Sequence, residues 1–338
     1  MVKTFLILLS LMCVLGCRKD PKLSDLPIND QEIYCYDESS HLANDDPILK
    51  EVGNFDVLEG PYGTLLGPIY TSYVKFNPEN AEQIIYVKRD SGAIPGAEEI
   101  WFYDFCSKES RMISDDHLYS LSWGAGDRIL YSGTDFQVHM MNSWGEELQQ
   151  VTSSSEPQSA GQFSPDGNFF YTTGIDGLKI FDKTGNQIKM YEGLRPFIAQ
   201  DWIDNEHLIV IDYDTQLYQS LKWDNGELIT LHSEPQCLMC IQAYNREANS
   251  MYIIEQRGEE VYGLYSFDIA KDQRTFLKAL HISYMLSTGD YSHESKKMIF
   301  NLNEVWWKDS VANEVYIRRS MLMMNENATN PRIVDLPH

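Results

Sequence analysis

Residues 161–184, GQFSPDGNFFYTTGIDGLKIFDKT, contain one complete pattern of short strands joined by a tight turn. Phe163 ends the first strand, and the turn after it is formed by Ser164, Pro165, Asp166 and Gly167. Proline presets φ for the first corner, aspartate bonds to the backbone two residues on, and glycine adopts the φ that other residues resist. Aromatic and β-branched residues dominate 168–173 and 178–182, which predicts two further strands.

The same layout recurs along the chain. An aromatic residue precedes a polar turn six times, at intervals of 47, 40, 39, 42 and 47 residues: Phe76, Trp123, Phe163, Trp202, Tyr244 and Tyr291. An apolar strand, a third strand and a weaker fourth strand follow each turn. Four short strands in each repeat of about 40–50 residues predict the blade of a β-propeller.

The predicted fold class is therefore all-β, a propeller of six four-stranded blades. A β-sandwich would give no reason for this period. Residues 48–65 stand outside the six repeats, and they are left open as an extra edge strand, a plug or part of a seventh blade.

The turn Ser164, Pro165, Asp166, Gly167, followed by an apolar strand and then by a strand ending in Asp182, resembles the repeats of TolB-like six-bladed propellers, also called WD40-like or PD40 repeats. The resemblance covers residues 73–337, and the third repeat carries the full motif. It implies a six-bladed ring and a role in protein–protein contact.

The N-terminus has the anatomy of a signal peptide. Lys3 precedes an apolar stretch, 5–16, that is too short to span a membrane, which takes about 20 residues. The sequence Val14, Leu15, Gly16, Cys17 resembles the lipobox of bacterial lipoproteins, which implies cleavage before Cys17 and a lipid on its thiol. The predicted organisation is a signal peptide (1–16), a lipid-anchored tether (17–46) and a propeller (47–338).

Composition excludes some partners. The net charge is −23, and it becomes −24 once residues 1–16, whose only charge is Lys3, are removed. Such a surface repels nucleic acid, so we expect no nucleic-acid partner and a membrane contact only through the lipid. The tether composition of 18–46 is typical of a flexible spacer, with a segment at 33–36 that could pack on the propeller.

Besides Cys17, the mature chain keeps four cysteines, Cys35, Cys106, Cys237 and Cys240. Four thiols can pair in three ways, and the sequence does not choose among them. Cys237 and Cys240 form a lone C-x-x-C between two predicted strands. A structural zinc site needs four ligands, and no second pair is present, so we predict neither a metal nor a redox site there.

No catalytic, cofactor-binding or metal-binding motif is recognisable. Asp212 and Asp214, at alternate positions near a strand end, are more typical of solvated turn carboxylates than of a Ca²⁺ site. Two long connections, 88–99 and 303–314, would emerge side by side on one face of a closed ring. The second carries Trp306 and Trp307, the candidate partner contacts.

The predicted function is that of a non-enzymatic envelope lipoprotein, placed at the outer membrane, whose propeller binds an envelope protein or an extracellular ligand such as a glycan. One alternative is a propeller lyase or hydrolase acting on carbohydrate or peptide. It would need inner-strand residues such as Gln162, Gln200 and Gln242 to be joined by convergent His, Arg or carboxylate groups. A glycan-binding accessory of a nutrient importer is the other alternative.

Overall fold

The computed structural model describes residues 35, 40–42, 57–60, 63–66, 69–89, 98–192, 199–211, 217–231, 241–256, 261–281, 284–309, 314–334 and 336. Within them 27 strands form six sheets, and each sheet contains one blade of four antiparallel strands. Three strands precede the first blade: β1 (Ser40–Leu42), β2 (Val57–Gly60) and β3 (Gly63–Leu66).

Blades 1 to 3 each contain four strands, which pair in chain order. Blade 1 has β4 (Ile69–Asn77), β5 (Asn80–Arg89), β6 (Glu98–Asp104) and β7 (Ser110–His117). Blade 2 has β8 (Tyr119–Gly124), β9 (Arg128–Ser132), β10 (Val138–Met141) and β11 (Gln149–Gln150). Blade 3 has β12 (Gln158–Phe163), β13 (Phe169–Gly174), β14 (Gly177–Asp182) and β15 (Gln187–Tyr191).

Blades 4 to 6 follow the same order. Blade 4 has β16 (Ala199–Trp202), β17 (His207–Ile211), β18 (Tyr218–Lys222) and β19 (Leu228–Thr230). Blade 5 has β20 (Ile241–Asn245), β21 (Ser250–Gln256), β22 (Val261–Asp268) and β23 (Gln273–His281). Blade 6 has β24 (Tyr284–Ser292), β25 (Lys297–Asp309), β26 (Glu314–Asn325) and β27 (Arg332–Val334). The prediction of six four-stranded blades is confirmed.

The hydrophobic core is divided among the interfaces between neighbouring blades. Each of six buried clusters contains the aromatic residue of one repeat and apolar residues of the preceding blade. Trp202, for example, packs with Leu208 of its own blade and with Tyr171 and Ile180 of blade 3. The aromatic recurs in the sequence because every interface needs one large apolar side chain at the same place.

Polar turns join the neighbouring blades at one face of the ring. In the best-matched turn Gly167 has φ +65°, and Asp166 accepts from the backbone N–H of Asn168. The Arg128 guanidinium of blade 2 donates to the Gly167 carbonyl oxygen at 2.6 Å, and Asn205 Oδ1 of blade 4 accepts from the Asp166 N–H. The repeated turn motif therefore connects the blades as well as reversing the chain.

The ring closes between blades 6 and 1. Phe76 and Ile84 of blade 1 share a buried cluster with Ile299 and Met321 of blade 6. At the turns, Glu294 Oε2 of blade 6 accepts from the Ala81 N–H of blade 1 at 2.8 Å. Closure of the six described blades on one another leaves no interface for a seventh.

The N-terminal segment reinforces this closure. Strand β1 pairs antiparallel with β27 and adds a fifth strand to the outer edge of blade 6. Cys35, five residues earlier, forms a disulfide with Cys106 in the β6–β7 turn of blade 1, and its N–H donates to Glu82 Oε1. The segment from residue 35 to residue 42 therefore bridges the first and last blades. It lies within 17–46, the predicted tether.

Two further features differ from a regular blade. Strands β2 and β3 form a hairpin, and β3 pairs in parallel with β26 at residues 316–318, so part of 48–65 supplies an added edge. The connection predicted as a loop at 303–314 is mostly strand, because β25 continues to Asp309 and β26 begins at Glu314. Blade 6 consequently carries a hairpin much longer than those of its neighbours.

Candidate functional site

The inner strand of each blade contains a β-bulge a few residues before its aromatic residue. In β16 and β20 one extra residue interrupts the pairing, Gln200 and Gln242 respectively. In β12 the pair Gly161 and Gln162 opposes Tyr171 alone, and a Cβ at Gly161 would collide with the Tyr171 ring. Register shifts also interrupt β4, β8 and β24. Bulges bend a strand and redirect side chains, and they are frequent beside functional sites.

Six residues occupy the same place in the repeats, immediately before the aromatic. They are Lys75, Ser122, Gln162, Asp201, Ala243 and Asp290. Since blades are related by rotation about the central channel, equivalent inner-strand positions lie at one level of that channel. We call these six residues, with Arg246 and His293 from the adjoining turns, the channel ring.

One half of the channel ring is charged. Arg246 of blade 5 donates through Nη2 to Asp201 Oδ1 of blade 4 at 2.8 Å, and through Nε to the Trp202 carbonyl oxygen at 3.2 Å. Asp290 of blade 6 accepts from the Phe76 N–H at 2.8 Å, and its Oδ1 lies 3.7 Å from Lys75 Nζ. Charges of opposite sign therefore face each other across two blade interfaces.

These charged side chains are enclosed by protein and are nevertheless accessible. Asp290 keeps 24% of its side-chain surface exposed and Lys75 keeps 16%. Arg246 and Asp201 keep 27% and 18%. Inner strands border the central channel of a propeller and the turns that follow them lie at its mouth, so we assign the exposed surface of these groups to that end of the channel.

The enclosure shifts the ionisation of the ring. Burial raises the pKa of Asp290, against the opposing effects of Lys75 and the Phe76 N–H. Burial by itself would lower the pKa of Arg246, but the adjacent Asp201 carboxylate raises it above its ordinary value. For His293, burial and the positive charge of Arg246 lower the pKa to about 4, so the imidazole is neutral at pH 7.

The other half of the channel ring is neutral. Ser122 Oγ donates to Gln162 Oε1 at 3.0 Å across the interface of blades 2 and 3. Ala243 is the smallest residue at its position, and the same blade supplies Arg246 from its turn instead. The ring thus combines two cations, two carboxylates, an amide, a hydroxyl and a neutral imidazole.

A second polar group lies toward the opposite end of the inner strands. His117 is fully buried, with Nδ1 3.3 Å from Glu98 Oε2 and Nε2 3.1 Å from the Ser120 carbonyl oxygen. Its ring packs edge-on against Tyr73 at 5.4 Å. Nε2 bonds to the carbonyl oxygen of Ser120 at the start of β8, so His117 links β7 to β8 and is a structural histidine.

The sequence-predicted residues have different outcomes. Ser164, Pro165, Asp166 and Gly167 form the predicted turn. Trp306 and Trp307 lie in β25, opposite Tyr316 and Val315 of β26, and only their backbone is described. Three groups of predicted residues lie outside the described part of the chain: Cys17, the pair Cys237 and Cys240, and the pair Asp212 and Asp214.

Sequence reasoning did not find Lys75, Asp201, Asp290 and Arg246. A usable signal existed, because the residue before the repeat aromatic is polar or charged in five of the six repeats. Gln162, the predicted inner-strand residue whose side chain is described, belongs to the neutral half of the channel ring, where it accepts a hydrogen bond from Ser122.

Two further observations bear on chemistry and location. Within the described residues, the one group of side chains with metal-ligand spacing is Cys35, Glu82 and Cys106, and its two cysteines form the disulfide. The described residues include no helix with the length and apolar character needed to cross a membrane.

Comparison with known proteins places the fold. No protein-family profile matches the chain, and no curated protein matches it in sequence. The structure of a putative TolB from Agrobacterium tumefaciens aligns with a TM-score of 0.53 at 11% identity, over 71% of this chain and 88% of that one.

Two other solved structures align less closely. TolB from Acinetobacter baumannii aligns with a TM-score of 0.40 at 12% identity, over 79% of this chain and 54% of that one, so the chain spans about half of its length. The β-propeller domain of the Trilobed protease from Pyrococcus furiosus aligns with a TM-score of 0.45 at 10% identity, over 76% and 81% of the two chains. With its six closed four-stranded blades and its likeness to the Agrobacterium structure, the chain has the TolB-like six-bladed β-propeller fold.

Proposed function

We propose that the chain is a non-enzymatic lipoprotein of the cell envelope, held at the outer membrane by a lipid on Cys17, whose propeller is a platform for a partner protein or ligand. The observation that carries the proposal is the attachment of the N-terminal segment to the ring by the Cys35–Cys106 disulfide and the β1–β27 pairing. Structural disulfides persist in oxidising compartments, which supports export.

The channel ring supports binding over catalysis. Arg246 is paired with Asp201, and Lys75 faces Asp290, so the charges largely neutralise one another. Charged groups arranged this way provide complementary contacts for a polar ligand, whereas covalent catalysis requires a nucleophile activated by a nearby base.

Replacing Cys17 with alanine is expected to release the protein from membranes. Several acyl chains on one residue anchor durably because each buried methylene contributes about 0.8 kcal/mol. The test expresses the full chain with its signal sequence in a bacterium that lipidates exported proteins. Membrane fractionation and intact mass are then compared for wild type, C17A and the matched cysteine control Cys240→Ala.

Wild type and C240A are expected in the membrane fraction with an acylated mass, and C17A in the soluble fraction without it. A C17A protein that still sediments with membranes and shows no change in acylation would contradict the anchor.

The long hairpin of blade 6 is the proposed partner contact. Adjacent strand positions lie on opposite faces of a sheet, so Trp306 and Trp307 belong to different faces. By strand register, position 307 shares a face with 315, 317 and 65, which are all apolar. Position 306 shares the other face with Tyr316 and Thr64. An aromatic among polar neighbours is typical of an interface hot spot, so we assign the contact to Trp306.

Trp306→Ala is expected to reduce partner capture about tenfold or more, which corresponds to 1.4 kcal/mol or more at a hot spot. The measurement is quantitative pull-down from native membranes with wild type and W306A. Trp144→Ala is the control, since Trp144 is an exposed tryptophan that lies on blade 2, away from the hairpin. Equal loss in W144A, or full capture by W306A, would count against the hairpin. A response of the wild-type tryptophan fluorescence to a glycan panel, lost in W306A, would identify the ligand as a glycan.

A propeller hydrolase or lyase is the second candidate, favoured by one observation. The raised pKa of Asp290 and the neutral His293 place a potential acid and a potential base in the same channel. The catalytic activity of such an enzyme would depend on Asp290 and His293.

A further inference from the structure

The charges of the channel ring alternate in sign around the channel. From blade 4 to blade 1 the order is Asp201, Arg246, Asp290 and Lys75, two carboxylates and two cations with no net charge. Ser122 and Gln162 complete the circle with neutral groups that bond to each other. A ligand bound at the level of the channel ring therefore has both positive and negative side chains around it.

Several polar atoms of the ring keep unused bonding capacity. Arg246 uses Nε and Nη2, and no described residue accepts a hydrogen bond from its Nη1. Asp201 accepts the Trp202 N–H and the Arg246 guanidinium at Oδ1 alone, so Oδ2 has no donor among the described residues. Lys75 Nζ, 3.7 Å from Asp290, makes no hydrogen bond in the same set.

The channel ring therefore contains charged donors and charged acceptors that can each form a further hydrogen bond. An ion pair at 3.7 Å is too long to count as a hydrogen bond, so both of its members can take another partner. Buried charges without complete pairing are costly, and a ligand that supplies the missing partners recovers that cost.

We propose that the channel ring binds a small zwitterion, an α-amino acid or a short peptide. The ligand carboxylate lies at Arg246 Nη1 and Lys75, and its ammonium group lies at Asp201 Oδ2 and Asp290. This inference rests on the proposed binding function and names the ligand class of that function.

Charge complementarity selects this class over others. A simple anion would satisfy Arg246 and Lys75 but would face two carboxylates at the same level. A simple cation would satisfy the two carboxylates but would face Arg246 and Lys75, and a neutral sugar would bring no charge to the open positions on Arg246, Asp201 and Lys75. Like charges brought together in an enclosed site are strongly disfavoured, and a zwitterion avoids that arrangement.

The probe for the test is glycylglycine, titrated calorimetrically into the full chain at pH 7. Acetate, ethylammonium chloride and glucose are the anionic, cationic and neutral arms. We expect glycylglycine to bind at least about tenfold more tightly than any of the three, since each charged hydrogen bond contributes a factor of that size.

Two kinds of variant are compared. One removes a single charge and leaves its partner unpaired, and the other removes both members of an ion pair. Lys75→Met removes one cation, and the double variant D201N/R246M removes a pair without changing the net charge. Lys271→Met removes an exposed lysine paired with Asp268 outside the ring. We expect K75M and D201N/R246M to weaken glycylglycine about tenfold or more, and K271M to leave it unchanged. Circular dichroism of each variant checks that the fold is retained.

Three results would overturn the proposal: no heat with glycylglycine, equal binding of acetate or glucose, or unchanged binding in a folded D201N/R246M variant. Release of free glycine by wild type but not by D201N/R246M would assign the channel to an enzyme and overturn the non-enzymatic function. Partner capture through the hairpin with no glycylglycine binding would overturn the ligand class alone, and the platform would stand.

Discussion

Replacing Cys106 with serine is expected to lower the free energy of unfolding by about 4 kcal/mol. The disulfide joins residues 71 positions apart, and the constraint that a crosslink places on the unfolded chain grows with the length of the closed loop. Because Cys35 belongs to the segment that reaches the last blade through β1, the loss falls on the closure of the ring.

Chemical denaturation of wild type and C106S, with and without a reductant, measures this effect. The reductant should destabilise wild type by the same amount and leave C106S unaffected, and the double variant C35S/C106S should equal the single one. The native fold should persist in all of them, since Glu294 and Asp290 still bond blade 6 to blade 1. A wild-type protein that is insensitive to reductant would show that this bond is not formed.

Replacing Trp202 with alanine should cost about 3–5 kcal/mol, because it empties a large space in a closely packed interface. The side chain is fully buried between blades 3 and 4. It also satisfies a buried group, since its indole N–H donates to the Gln162 carbonyl oxygen at 2.9 Å. That bond fixes the bulge of β12, so the substitution also loosens one side of the channel ring.

Trp144→Ala is the matched comparison for Trp202. Trp144 is 62% exposed and stacks on the Arg111 guanidinium at 4.0 Å, an arrangement that contributes about 0.5–1 kcal/mol at a surface. Thermal and denaturant unfolding of the two variants should therefore differ severalfold in their loss of stability. Similar losses would mean that the repeat aromatic does not organise the blade interface.

The fold was predictable because its determinants are local. Phe163, the turn that follows it and the strands after the turn lie within 24 residues, and their order recurs in each repeat. The pattern is weak in any one repeat, but its six occurrences together predict the number of blades. The added strands β1 and β3 were not predictable, since their pairing depends on which distant edge is free once the ring has closed.

The candidate site was predictable only in outline. The sequence identified inner-strand glutamines as candidates, and one of them, Gln162, lies in the channel ring. The charged partners were missed because a bulge decides which side chain faces inward, and the bulge arises from pairing between strands and is not apparent in their composition. Trp306 and Trp307 were identified as a pair, whereas the strand register places them on opposite faces.

The sequence by itself determined the repeated blade, its turns and its aromatic, because strand and turn preferences act between neighbours in the chain. Only the tertiary structure decided which residues of separate repeats meet. Arg246 pairs with Asp201 45 residues away, and Asp290 bonds to Phe76 214 residues away. Those contacts exist because six twisted sheets must cover one another and close, a geometric condition that acts on the whole ring.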